Sequence, residues 1–121
     1  MTTLDHIGIY VKDLKRSITF YREAFNFPVH SNLEIGESKI AFLDTGNGLL
    51  EIIQRPEPLE VPKGRWSHLA FTVQDYSETL KHLKNLGLEI RESSLPGGTH
   101  IAFLKDPDGH DLEIDEEPFN K

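Results

Sequence analysis

The chain contains no cysteine and only one methionine and one tryptophan. The missing thiols exclude disulfides, thiolate zinc sites and thiol catalysis. Basic residues are scarce: 13 Lys and Arg stand against 20 Asp and Glu, a net charge of −7. That balance argues against nucleic acid, whose phosphates need a basic face. No apolar run reaches the ~20 residues that cross a bilayer as a helix. Met1-Thr2-Thr3-Leu4-Asp5 has no basic stretch followed by an apolar one, so no secretory signal is read there. The expectation is a cytoplasmic protein with neither membrane nor nucleic-acid partners. A hydrophobic content of 37% over 121 residues, arranged in short periodic runs, fits a single domain, 1–121.

What is present is a repeat. A shift of 62 positions carries His6 onto His68 and Glu51 onto Glu113. The same shift carries Val11 onto Val73, Asp13 onto Asp75, Gly36 onto Gly98, Asp44 onto Asp106, Leu50 onto Leu112 and Ile52 onto Ile114. Two copies of a long period point to a duplicated module with a site between the copies.

Each copy reads β-α-β-β-β. Asp5-His6-Ile7-Gly8-Ile9-Tyr10-Val11 alternates as a strand, with His6, Gly8 and Tyr10 on the face opposite Ile7, Ile9 and Val11. Asp13 can cap a helix whose apolar positions are Leu14, Ile18, Tyr21 and Phe25. Strands are expected at about 29–35, 38–44 and 48–54, with turns at Gly36 and Gly46-Asn47-Gly48. In the second copy, Trp66 to Val73 reads as a strand, and Asp75 caps a helix with Tyr76, Leu80, Leu83 and Leu86. Gly87 suits its C-terminal end. Strands follow at about 88–93, 99–105 and 110–115, the last two joined by the turn Asp106-Pro107-Asp108-Gly109. The modules span about 1–54 and 66–116, and the proline-rich stretch 55–65 reads as a stiff connector. The expected class is α+β: two tandem βαβββ modules whose sheets curve round a shared metal-binding cleft.

Strand alternation aims the chemistry. If Leu50 and Ile52 face the helix, Glu51 faces the cleft; if Leu112 and Ile114 do, Glu113 faces it together with Asp111 and Asp115. His6 and His68 also stand opposite their apolar faces. A lone strand histidine is usually structural, and a lone Glu in Leu-Leu-Glu-Ile-Ile is usually solvated. Two of each obeying one shift make metal binding the better reading. The proposed ligands are His6, Glu51, His68 and Glu113, a set suited to Ni, Co, Zn, Mn or Fe with two positions left open. His30, His82 and His110 read as surface residues, and His100, after Gly97-Gly98, as a candidate substrate contact. Asp111 and Asp115 read as solvated, the alternative being groups that support the ligands from behind. Trp66 reads as a core or interface aromatic.

These residues resemble the vicinal-oxygen-chelate superfamily, also called the glyoxalase/bleomycin-resistance/dioxygenase family. The resemblance covers nearly the whole chain. The carriers are Asp5-His6-Ile7-Gly8-Ile9 through Phe20-Tyr21, Ser67-His68-Leu69-Ala70-Phe71, and above all Gly97 through Ile114, which is most similar to short bacterial glyoxalase I (lactoylglutathione lyase). The resemblance implies a lyase that isomerises a 2-oxoaldehyde–thiol hemithioacetal through an enediolate, in methylglyoxal detoxification. It implies the ligand order His, Glu, His, Glu, nickel or cobalt favoured over zinc, and a homodimer whose cleft forms within one chain or between two. Glu113 or Glu51 would be the base. Ring-cleaving dioxygenases and fosfomycin-modifying enzymes of the family use two His and one Glu, and the epimerases usually place Gln where Glu51 stands. Tyr10 and Arg55 occupy places where bacterial glyoxalase I holds glutathione with Arg and Asn, so another thiol adduct stays open. The alternatives are an epimerase, a dioxygenase or a drug- or antibiotic-binding resistance protein.

Overall fold

A computed structural model describes residues 2–57 and 67–119. Most of the expected connector, and Trp66, lie outside the described residues. The chain divides into two compact units, Met1–Val61 and Pro62–Lys121.

In the first unit, β1 (His6–Val11) leads into α1 (Leu14–Phe25), followed by β2 (Val29–Ile35), β3 (Ser38–Asp44) and β4 (Leu49–Gln54). The strands form one sheet in the order β1-β4-β3-β2. β1 and β4 run parallel; the β2–β3–β4 meander is antiparallel. Asp13 starts α1 as expected, its carboxylate accepting from the Arg16 amide. Gln54 adds a second cap, its Oε1 accepting from the Leu14 amide at 2.8 Å. The helix ends on Asn26 in the left-handed region, φ 60°. Its buried line is Ser17, Tyr21 and Ala24. Leu14, Ile18 and Phe25 are only half-buried, so the contact face is rotated from the expected stripe toward its small residues. That rotation lets α1 lie close on β3 and β4, whose Ala41, Leu43, Leu50 and Ile52 are buried.

The second unit repeats the order: β5 (His68–Thr72), α2 (Tyr76–Asn85), β6 (Arg91–Ser94), β7 (His100–Lys105) and β8 (Asp111–Asp115), in a sheet ordered β5-β8-β7-β6. Asp75 caps α2 through the Glu78 amide. Leu80 and Leu83 are its buried residues, and Leu86 is exposed. Leu86 caps the end and Gly87 follows at φ 84°, a conformation that favours glycine. β6 begins three residues later than expected because the Leu88 amide still donates to the Leu83 carbonyl, tying that stretch to the helix end.

The repeat is gapless through β1, α1 and β4 but slips by one residue at each hairpin. Phe42 pairs with Glu51, and Phe103 with Glu113. The glutamates are 62 apart and the phenylalanines 61. Ser31 pairs with Phe42 and Arg91 with Phe103, which are 60 apart at the sheet edge. A single 62-residue shift therefore does not hold throughout. Asp44 ends β3, whereas Asp106 lies just beyond β7, and the register equivalent of Asp44 is Lys105. Both aspartates still close their turns: Asp44 accepts from the Gly46 amide, and Asp106 from the Asp108 and His110 amides.

Candidate functional site

Register sets which side chains share the sheet face opposite the helix. In the first unit His6, Gly8 and Tyr10 lie beside Leu49, Glu51 and Ile53. Ile40 and Phe42 join them from β3, and Leu33 and Ser31 from β2. His6 Nε2 is 3.4 Å from Glu51 Oε1. The imidazole also meets Phe42 edge-on, centroids 5.6 Å apart, and its Nδ1 is 2.7 Å from Asp5 Oδ2. That hydrogen bond to Asp5 is the main cause that raises the His6 pKa; burial opposes it, and the Glu51 and Asp5 charges add to the rise.

The second unit builds the same pair. His68 and Ala70 lie beside Asp111 and Glu113, and His68 Nε2 is 3.5 Å from Glu113 Oε1. In both pairs the carboxylate is the more shielded partner, 17% and 13% exposed against 38% and 56% for the imidazoles. Such pairs suit a metal edge. With bonds near 2.1 Å, an imidazole nitrogen and a carboxylate oxygen sit about 3.0 Å apart at a right angle and about 3.4 Å apart at a tetrahedral angle. The donor types, imidazole and carboxylate, also fit a divalent transition metal. Among the described residues no group of three or more candidate ligands gathers; what each unit supplies is a His–Glu pair.

The two faces differ around that shared pair. Leu49 and Ile53 flank Glu51, whereas Asp111 and Asp115 flank Glu113. The expectation of solvated aspartates does not hold. Asp111 is half-buried, with Lys105 Nζ 2.7 Å from its Oδ1. Asp115 is 3% exposed, and its Oδ1 has no hydrogen-bond partner among the described residues. Burial first, then its hydrogen bond and charge contact with Glu113, push Asp115 up to about 7. Alternation alone placed Asp115 on this face but could not show that the face is closed there. Arg91 lies over the Phe103 ring, 5.2 Å from its centroid.

The remaining histidines divide. His100 opens β7 and stacks on Tyr76, centroids 5.7 Å apart. Its Nδ1 is 3.2 Å from Glu116 Oε1, and its amide donates to the same carboxylate. This network holds the strand start. His30 and His82 are exposed, as anticipated, and His110 is half-buried. Tyr10 is 42% exposed, and Arg55 is exposed.

Comparison with known proteins agrees with this architecture. The profile of the Glyoxalase/Bleomycin resistance protein/Dioxygenase superfamily matches residues 3–114. The chain is 30% identical to glutathione transferase FosA of Serratia marcescens, over 94% of this chain and 80% of that protein. It is 32% identical to a probable lactoylglutathione lyase of Vibrio cholerae, over 90% of this chain and 86% of the relative. It spans 42% of the length of the Arabidopsis thaliana lactoylglutathione lyase that it also matches. A solved glyoxalase family protein from Enterococcus faecalis superposes with a TM-score of 0.82 at 26% identity, covering 94% of this chain and 97% of that one. The chain belongs to the Glyoxalase/Bleomycin resistance protein/Dioxygenase superfamily.

Proposed function

We propose that this protein is a metal-dependent, glyoxalase I-like lyase that isomerises a 2-oxoaldehyde–thiol hemithioacetal through an enediolate. The supporting observation is the duplicated pair: His6 with Glu51 at 3.4 Å and His68 with Glu113 at 3.5 Å. Enzymes of the superfamily generally use a divalent metal ion, and His6, Glu51, His68 and Glu113 are the residues that would hold it. Bound there, a cation supplies positive charge that polarises a carbonyl and stabilises oxyanion charge. Glu113 and Glu51 are the candidate bases. One of them takes the proton from the thioacetal carbon and returns it to the adjacent carbon, while the hydroxyl proton passes from the thioacetal oxygen to the former carbonyl oxygen, so the isomerisation balances without a co-reactant. Phe42 and Phe103 are the register partners of the two glutamates and share their sheet faces.

Nickel or cobalt as the preferred metal, a homodimer, and methylglyoxal as the source of substrate belong to the same proposal. The thiol is left to experiment, because Tyr10 and Arg55 stand where bacterial glyoxalase I holds glutathione. A second reading has its own support: the likeness to the fosfomycin-resistance transferase of Serratia marcescens. The resemblance gives such enzymes two His and one Glu, and the presence of Glu51 beside His6 weighs against it. The deciding experiment offers the protein, loaded in turn with Ni(II), Co(II), Zn(II) and Mn(II), two substrates. Conversion of the methylglyoxal–glutathione hemithioacetal or of another thiol's adduct supports the lyase. Thiol addition to fosfomycin without hemithioacetal turnover overturns it.

A further inference from the structure

Gly8 sits in mid-strand with a backbone φ outside the positive range that glycine alone adopts readily. The chain conformation therefore does not call for glycine, and glycine weakens a strand. A glycine placed so often marks close approach by another group. Here that group is identified. Gly8 and Glu51 are register partners on adjacent parallel strands, so their side chains share one face. A Cβ built on Gly8 would lie 2.9 Å from Glu51 Oε1, closer than real contacts allow, and 3.6 Å from Ile53 Cδ1. The oxygen it would strike is the one 3.4 Å from His6 Nε2. The equivalent position in the second unit, beside Glu113, is Ala70. That unit keeps its 3.5 Å His68–Glu113 pair with a methyl group in place.

We infer that Gly8 is a positioning residue: its missing side chain is the space into which the Glu51 carboxylate folds back to stand against His6. The two glutamates are thus set by different means. Glu51 depends on a vacancy in the neighbouring strand, and Glu113 does not. The inference deepens the metal reading of the same site and rests on it for its functional consequence. A methyl at Gly8 forces the carboxylate end of Glu51 to rotate, which costs the fold little because that end is flexible and the strand accepts alanine. It does pull a donor away from its partner. Supporting groups that orient metal ligands typically matter about 10- to 100-fold in metal affinity.

The test compares wild type, Gly8→Ala, Gly8→Ser and Ala70→Gly, all stripped of metal. Co(II) is titrated by calorimetry and by its visible absorption, and metal-free crystals are solved. The expected result is Co(II) binding about tenfold or more weaker in Gly8→Ala and Gly8→Ser. Their Co(II) spectrum is altered, and Glu51 Oε1 moves away from His6 Nε2. Thermal midpoints stay near wild type, and Ala70→Gly binds as wild type does. Unchanged affinity, spectrum and carboxylate position in both Gly8 variants overturn the inference. If wild type binds no Co(II), the metal reading fails separately, and the crystals alone decide whether Gly8 positions Glu51.

Discussion

Asp5 holds His6 by its far nitrogen: Oδ2 lies 2.7 Å from Nδ1, leaving Nε2 directed at Glu51. The second unit has Ser67 at the corresponding place in sequence. A carboxylate behind a histidine fixes ring orientation and tautomer. Asp5→Ala is expected to lower divalent-metal affinity about tenfold. Asp5 is exposed, so the thermal midpoint of the metal-free protein should hardly move. Calorimetric metal titration beside thermal unfolding separates the two effects.

Ile52 and Ile114 occupy matching core positions, and both are fully buried. Truncating either to Ala removes packed methyl and methylene groups and should cost about 2–5 kcal/mol, whereas Val should cost about 0.5–1.5 kcal/mol. Urea unfolding of the four variants measures this. Equal penalties at the two sites would show that the duplicated cores are equally tight.

The helix caps give a smaller, cleaner effect. Asp13 and Asp75 each accept a first-turn amide, from Arg16 and Glu78. Replacement by Ala should cost about 1 kcal/mol at Asp75 and less at Asp13, and replacement by Asn or Ser much less. For α1 the loss is buffered by Gln54, which caps the Leu14 amide independently. Asp13→Ala combined with Gln54→Ala should therefore exceed the sum of the single losses, as chemical denaturation of the double-mutant cycle would reveal.

Glu116 governs an acid limb. The amide of His100 donates to its carboxylate, and the imidazole adds a second contact, so its pKa is lowered from the usual 4.5. A carboxyl that is more acidic when folded stabilises the fold above its unfolded pKa. That contribution fades as pH falls below about 4.5 and through the lowered folded value. Glu116→Gln should flatten this part of the stability profile and leave the profile near neutral pH with the same slope. Thermal midpoints measured from pH 3 to pH 6 test the sign.

Much of this molecule is written in local pattern. Strand alternation, with Asp13 and Asp75 before periodic apolar residues, places the two helices and the strands among the described residues, except that β6 starts three residues later than its pattern suggests. The same alternation puts His6 with Glu51, and His68 with Glu113, on one face in each unit. What alternation does not carry is the offset between strands. The one-residue slips that align Phe42 and Phe103 with their glutamates arise in turn lengths. The burial of Asp115 and the vacancy at Gly8 depend on what the neighbouring strand brings alongside. Gly8 could have been noticed as a glycine inside a strand pattern, but its reason lies in Glu51, 43 positions away. The contact face of α1 departs from its apolar stripe because Ser17 and Ala24, small rather than strongly apolar, form its buried side.

The most direct test of the central claim is metal-dependent turnover in the protein and its ligand variants. Metal-stripped protein is reloaded with Ni(II) or Co(II), and conversion of the methylglyoxal–thiol hemithioacetal is followed for wild type, His6→Ala, Glu51→Gln, His68→Ala and Glu113→Gln. Turnover is expected only with metal, and should fall by two or more orders of magnitude in each variant. Full turnover without metal, or Glu51→Gln and Glu113→Gln both active at the wild-type rate with metal bound, would contradict that claim.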